Sequence, residues 1–95
     1  MALKKEIELE NGITINYHRI TTINKVTNNV TVIEVAGYIS EEKRKEEIEA
    51  LKNGTEMNVF IHTMFFNKEY VENETIKDLY NYVKTIEMFE NAEDI

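Results

Sequence analysis

An Asn11-Gly12 pair separates two short stretches in which apolar and polar residues alternate. Ile7 and Leu9 alternate with charged residues before the pair, and Ile13 and Ile15 alternate with polar residues after it. Alternation with a period of two is typical of strands with one buried face, and Asn-Gly is a strong turn signal between such strands. The sequence therefore predicts an antiparallel hairpin at the start of the chain.

The register of this hairpin follows from the positions of its apolar residues. A two-residue Asn-Gly loop would place the apolar residues of the two strands on opposite faces. A three-residue loop, Glu10 to Gly12, pairs Leu9 with Ile13 and Ile7 with Ile15, which brings the apolar residues onto one face. Because a shift of one residue turns every side chain to the other face, we predict the three-residue loop, with a glycine bulge in the left-handed conformation.

Two later stretches are apolar on both faces. Residues 30–39 predict a third strand, after a second strand that runs to about Ile23 and a turn at residues 27–29. Residues 57–66 predict a fourth strand, in which one face carries Phe60, Met64 and Phe66. Strands that are apolar on both faces usually lie in the centre of a sheet or at an interface. Gly37 is expected to mark a bulge or a close backbone approach.

Two helices complete the predicted fold. Glu41–Lys52 predicts a polar helix with Ser40 as its N-cap and Gly54 beyond its end, and few of its residues can face a core: Ile48, Ala50 and Leu51. The second helix has one apolar face at helical spacing and begins after either Asn73 or Thr75: Ile76, Leu79, Tyr80, Val83 and Ile86. Residues 91–95 are expected to fray.

These elements predict a single α+β domain that spans residues 1–95. Its four-stranded, mainly antiparallel sheet carries an N-terminal hairpin and packs against the C-terminal helix, and the short polar helix precedes the last strand. One helix covers one face of such a sheet. Apolar residues on the other face are therefore expected either to belong to the core or to meet a partner. The candidate interface residues are Tyr38, Phe60, Met64 and Phe66.

Composition argues against several classes of function. The formal net charge is −7 and the basic residues are scattered, which disfavours contact with nucleic-acid phosphates. The chain contains no cysteine, so disulfides and thiolate chemistry are excluded. The longest nearly apolar run, residues 59–66, is too short to cross a bilayer. With no signal peptide at the N-terminus, we expect synthesis in the cytoplasm and no membrane partner.

The residues that could carry catalysis are sparse. His18 and His62 are the two histidines, and no metal-binding spacing accompanies them. We expect His18 at the surface and His62 partly buried and hydrogen-bonded, with a metal site as the alternative. The single serine is at a predicted helix cap, and three separated glycines cannot build a phosphate-binding loop. The sequence therefore predicts a protein that is not an enzyme and has no cofactor or metal.

Five segments, spread over nearly the whole chain, carry a resemblance: ELENGI at residues 8–13, NYHRI at 16–20, INK at 23–25, IEVAGYISEEKR at 33–44 and AEDI at 92–95. They resemble a family of small phage and prophage proteins from Gram-positive bacteria, found among tail and baseplate genes. None of the segments is a chemical motif. The resemblance implies a role in the virion or in its assembly.

The prediction for function is a non-enzymatic phage or prophage protein, structural or assembly-associated in a tail or baseplate. It would act through protein contacts at a sheet edge or face, with self-association as one form, and would be found in the cytoplasm and then in the virion. The alternative from another class is an acidic phage-encoded regulator or inhibitor of a host protein. A third possibility is a small enzyme or metal protein that uses His18 or His62.

Overall fold

Strands make up most of the first forty residues, and both α-helices come later in the chain. The computed structural model describes residues 1–55 and 59–95. The elements are, in order, β1 (Leu3–Glu8), β2 (Thr14–Val26), β3 (Val30–Tyr38), α1 (Glu41–Lys52), β4 (His62–Glu69), α2 (Ile76–Val83), a 3₁₀ turn (Glu87–Phe89) and β5 (Glu93–Asp94). The predicted α+β class is confirmed.

The strands form one antiparallel sheet in the order β4-β3-β2-β1-β5. Its fifth strand comes from the C-terminal tail, where the prediction of fraying is wrong. Ala2 and Ile95 exchange two backbone hydrogen bonds of 3.0 Å, and Lys84 Nζ lies 2.7 Å from Asp94 Oδ2. Backbone pairing to β1 holds a tail whose own sequence is polar and shows no alternation.

The predicted register of the N-terminal hairpin is confirmed. Ile7 pairs with Ile15, and the Leu9 N–H donates to the Ile13 carbonyl at 2.8 Å. The Gly12 N–H closes the turn on the Leu9 carbonyl at 2.9 Å, and Gly12 has a φ of +86°. Glycine adopts this left-handed conformation without the steric cost that other residues meet.

The turn between β2 and β3 is also as predicted, with Asn28 at a φ of +59°. The prediction for β4 is displaced along the chain. The strand begins at His62 and ends at Glu69; the predicted start at Met57 lies outside the described residues. Val59 is not in the strand because its N–H donates instead to the Glu47 carboxylate, at 3.0 Å.

One face of the sheet packs against α2 and the 3₁₀ turn, and this is the main core. Its buried residues are Leu3, Ile20, Ile33, Val35, Leu79, Tyr80, Val83 and Phe89. Tyr80 also links the layers through its hydroxyl, which donates to the Met1 carbonyl and accepts from the Ile20 N–H, each at 2.9 Å. The apolar face predicted for α2 is therefore the face that seals the sheet.

Helix α1 has the predicted bounds but a different buried residue. Ile48 and Leu51 are exposed, whereas Glu47 is 3% exposed. The expectation that the helix faces the core through Ile48, Ala50 and Leu51 is wrong for Ile48 and Leu51, whereas Ala50 is partly buried. A hydrogen-bonded carboxylate, rather than an apolar side chain, attaches this helix to the sheet.

The two possible starts of α2 lead to a direct test. Thr75 is the observed N-cap, because its hydroxyl accepts from the Asp78 N–H at 3.2 Å while the Asp78 carboxylate accepts from the Thr75 N–H at 3.0 Å. We expect Thr75→Ala to lower the free energy of unfolding by about 1 kcal/mol. Asn73→Ala and Ser40→Ala should have little effect, since the Ser40 side chain makes no capping hydrogen bond. Urea unfolding followed by circular dichroism would measure all three, and equal losses would contradict the assignment.

Candidate protein interface

The four candidate interface residues do not lie on one surface. Tyr38 is 0% exposed and lies beneath α1, and half-buried Phe60 packs edge-on against it with ring centroids 6.1 Å apart. Met64 and Phe66 lie on the opposite face, where they pack against the α2 core. The prediction that Phe60 shares a face with Met64 and Phe66 is wrong, because Phe60 precedes β4 and does not follow its alternation.

Strand β4 forms one edge of the sheet. It pairs with β3 from Val30 opposite Glu69 to Gly37 opposite His62, and no other strand in the described part of the chain pairs with it. An edge strand has a row of backbone N–H and C=O groups without strand partners. Residues 62–67 of this edge, HTMFFN, contain no proline, no glycine and no lysine or glutamate.

Phe65 is the most exposed aromatic residue of β4 and was not among the predicted interface residues. It lies opposite Glu34 on the face away from α2 and is 64% exposed. Its position between Met64 and Phe66 was the available signal, since α2 can cover only the face that those two share. The structure thus places exposed apolar surface on this edge strand, but at a different side chain.

A buried carboxylate joins α1 to the end of β3. Glu47 accepts hydrogen bonds from the Tyr38 hydroxyl at 2.7 Å and from the Val59 N–H at 3.0 Å, and it pairs with Arg44. Burial acts to raise the pKa of Glu47, but the hydrogen bonds from Tyr38 and Val59 and the Arg44 charge outweigh burial and lower it. This network fixes the path of the chain into β4.

His18 is fully buried, which contradicts the expectation that it lies at the surface. The register of β1 against β2 shifts between Lys4 and Ile7, and the Lys5 carbonyl within this bulge lies 2.7 Å from His18 Nε2. The imidazole ring packs edge-on against Phe89, with the two ring centroids 5.1 Å apart. Because the partner is a carbonyl, Nε2 carries the proton in the neutral ring, and buried Nδ1 has no partner among the described residues.

This environment makes the stability of the protein sensitive to acid. Burial lowers the pKa of His18, the hydrogen bond to Lys5 raises it, and nearby His62 lowers it, with a net decrease. The unfolded chain therefore takes up a proton below the ordinary pKa of 6.5 while the folded chain resists it. The contribution of His18 to the free energy of unfolding is therefore complete above that pH. Below it, the free energy of unfolding should fall by up to about 1.4 kcal/mol per pH unit, until the pH reaches the lowered pKa of the folded protein.

The loss of stability in acid should come mainly from the buried ring of His18. Urea unfolding at pH 7 and pH 5.5 is expected to show a smaller difference in His18→Gln than in the native protein. His62→Gln, the matched control, should keep most of the difference. Equal pH dependence in the native protein and His18→Gln would show that the buried ring is not responsible.

A groove of about 480 Å³ opens beside the start of β4. One wall is the end of β1 with its turn, and the other is the first part of β4 together with the 3₁₀ turn. The lining residues are Ile7, Glu8, Leu9, Glu10, Asn11, Ile61, His62 and Met88. Residues of β1 and β4 line the same groove although β2 and β3 lie between these strands in the sheet.

No group of three or more His, Asp or Glu side chains within residues 1–55 and 59–95 is arranged to hold a metal ion. None of the helices in the same residues combines the length and apolar character needed to cross a bilayer.

Comparison of the chain with protein-family models, with curated proteins and with solved structures found no match. The resemblance to phage tail and baseplate proteins therefore remains a prediction from the sequence.

Proposed function

We propose that this chain is a non-enzymatic protein that acts through protein contacts, and that the free edge of β4 is its principal contact. The observation that carries the proposal is Phe65, which is 64% exposed in the middle of an edge strand. Addition of a partner strand to an exposed edge gives affinity through main-chain hydrogen bonds and specificity through alternate side chains.

The lysine of β4 does not protect the middle of this edge. Proteins commonly guard an edge strand with lysine, proline or a bulge. Lys68 is the lysine of β4, but its ammonium group lies 2.7 Å from the Glu74 carboxylate in a largely buried ion pair. This pairing takes the charge away from the open edge, which leaves the uncharged segment 62–67 accessible to another strand.

The resemblance described above supports the biological setting of this contact. We propose a structural or assembly-associated role in a phage or prophage tail or baseplate, with either a second copy or another virion protein as partner. A second copy could pair antiparallel around Phe65, which would set the two Phe65 rings side by side and place Met64 opposite Phe66. Aromatic cross-strand pairs of this kind stabilise antiparallel strands by about 0.2–1 kcal/mol each.

The test is to replace Phe65 with arginine and measure association. We expect Phe65→Arg to weaken self-association, measured by analytical ultracentrifugation over a dilution series, or binding to a panel of purified tail and baseplate proteins, by about tenfold or more. Ile76→Arg is the matched control, since Ile76 is also exposed but lies at the start of α2. A native protein that stays monomeric and binds no member of the panel would refute the proposal.

The outer surface of α1 favours a second candidate, an acidic regulator or inhibitor of a host protein. Its exposed carboxylates are Glu41, Glu42, Glu46 and Glu49, although Lys43 and Lys45 form ion pairs with two of them. Such a surface could occupy a basic site on a host protein. Binding to a host protein that weakens steeply with salt and in Glu42→Lys/Glu49→Lys, but not in Phe65→Arg, would favour this candidate.

A further inference from the structure

We infer that the groove between the β1 turn and the start of β4 binds a short peptide segment of a partner protein. The segment would carry an apolar side chain flanked by lysine or arginine. The groove shares only His62 with the edge segment 62–67, so binding of a peptide in the groove can be measured separately from strand pairing around Phe65.

The apolar character of the groove comes from side chains that remain open to solvent. Ile61 is 41% exposed and Met88 is 45% exposed, and both line the groove. Ile13, whose carbonyl accepts a hydrogen bond from the Leu9 N–H across the turn, adds a third exposed apolar side chain next to the β1 wall of the groove. Exposed apolar residues scattered singly are normal, whereas several around one concavity mark a binding site. A volume of about 480 Å³ lies within the range of known ligand sites.

The charged residues at the rim of the groove indicate which kind of peptide would bind there. Among the described lining residues the carboxylates are Glu8 and Glu10, and no lysine or arginine is included. Neither carboxylate takes part in the ion pairs of residues 1–55 and 59–95. Two unneutralised carboxylates beside an apolar trough are complementary to a cation next to an apolar side chain. A second copy of the chain, which also carries a net charge of −7, is a poorer complement.

Three capped tetrapeptides separate the effect of charge on binding from the effect of apolar contact. The first, acetyl-Lys-Leu-Phe-Lys-amide, has the proposed chemistry, and acetyl-Glu-Leu-Phe-Glu-amide reverses its charge. In a ¹H–¹⁵N NMR titration we expect the lysine peptide to give saturable shifts confined to residues 7–13, 61–62 and 88. The glutamate peptide should give no saturable shift, because like charges would meet at the rim. A third peptide, acetyl-Lys-Gly-Gly-Lys-amide, should bind more weakly than the first, since it has no apolar side chain.

Variants of the protein test the rim directly. Glu8→Gln/Glu10→Gln should weaken binding of the lysine peptide by about fivefold or more. Glu41→Gln/Glu42→Gln makes the same change of net charge on α1 and should stay close to the native affinity. The spectra themselves show whether each variant is folded. Equal binding of the two charged peptides, equal effects of the two variant pairs, or shifts centred on other residues would each overturn the inference.

Discussion

Replacement of Glu47 with alanine is expected to lower the free energy of unfolding by about 3–5 kcal/mol. The substitution removes the acceptor for the Tyr38 hydroxyl and the Val59 N–H and leaves Arg44 without its partner. Buried donors that lose their acceptor bear the full cost of desolvation. Since Tyr38 is fully buried, its hydroxyl cannot easily move to a position where water would accept its hydrogen bond. Urea unfolding at pH 7, followed by circular dichroism, would measure the loss.

Glu46→Ala is the matched control for this prediction. Glu46 precedes Glu47 in the same helix, but its carboxylate is exposed and pairs with Lys43 at the surface. Exposed ion pairs stabilise proteins by about 0–1 kcal/mol, so the control should change stability little. Losses of similar size in the two variants would show that helix propensity, rather than the buried carboxylate, accounts for the effect.

Acid should remove the contribution of Glu47 at a lower pH than that of His18. The pKa of Glu47 is lowered in the folded protein, so its contribution is complete above the ordinary pKa of 4.5 and is lost as the pH falls through the lowered value. The His18 contribution begins to fall below 6.5. Unfolding experiments between pH 7 and pH 5 therefore report on His18 with little interference from Glu47.

Short sequence patterns were sufficient to predict the N-terminal hairpin and both helices. Alternation around the Asn-Gly pair gave the hairpin register, because the pairing of Ile7 with Ile15 depends only on which face each side chain occupies. The bounds of α1 and the apolar face of α2 followed from caps and helical spacing. In each of these cases the pattern that decides the prediction lies within one short stretch of sequence.

The features that were missed depend on contacts between distant segments. In the sequence, Glu47 cannot be distinguished from the other glutamates of a charged helix. Only its hydrogen bonds with Tyr38 and Val59 show that it is buried and attaches the helix to the sheet. The tail forms β5 by backbone bonds to β1, which alternation cannot reveal. The positions of the candidate interface residues were missed for a related reason, because the sequence did not show that β4 begins at His62, after Phe60, or that α1 covers Tyr38. Phe60 therefore lies outside the strand. Phe65 is the exposed aromatic residue of β4 because it lies on the face that α2 does not cover.

The other large effect is expected at Gly37, where the predicted close approach exists but comes from a side chain rather than from backbone. A Cβ at Gly37 would lie 2.6 Å from Ile15 Cδ1, and Ile15 is itself fully buried. Overpacking of a buried site costs about 1–3 kcal/mol. We therefore expect Gly37→Ala to destabilise the protein by that amount, although alanine also reduces the entropy of the unfolded chain.

A double-mutant cycle identifies the cause. Ile15→Val removes Cδ1, the atom that the new methyl group would meet, and alone should cost about 0.5–1.5 kcal/mol. If the clash with Cδ1 is the cause, Gly37→Ala should cost less in the Ile15→Val background than in the native protein. Gly12→Ala is the control, since Gly12 has open space around it but a φ of +86°, and its cost should be the same in both backgrounds. Full additivity of Gly37→Ala with Ile15→Val would mean that Ile15 does not limit the space at Gly37.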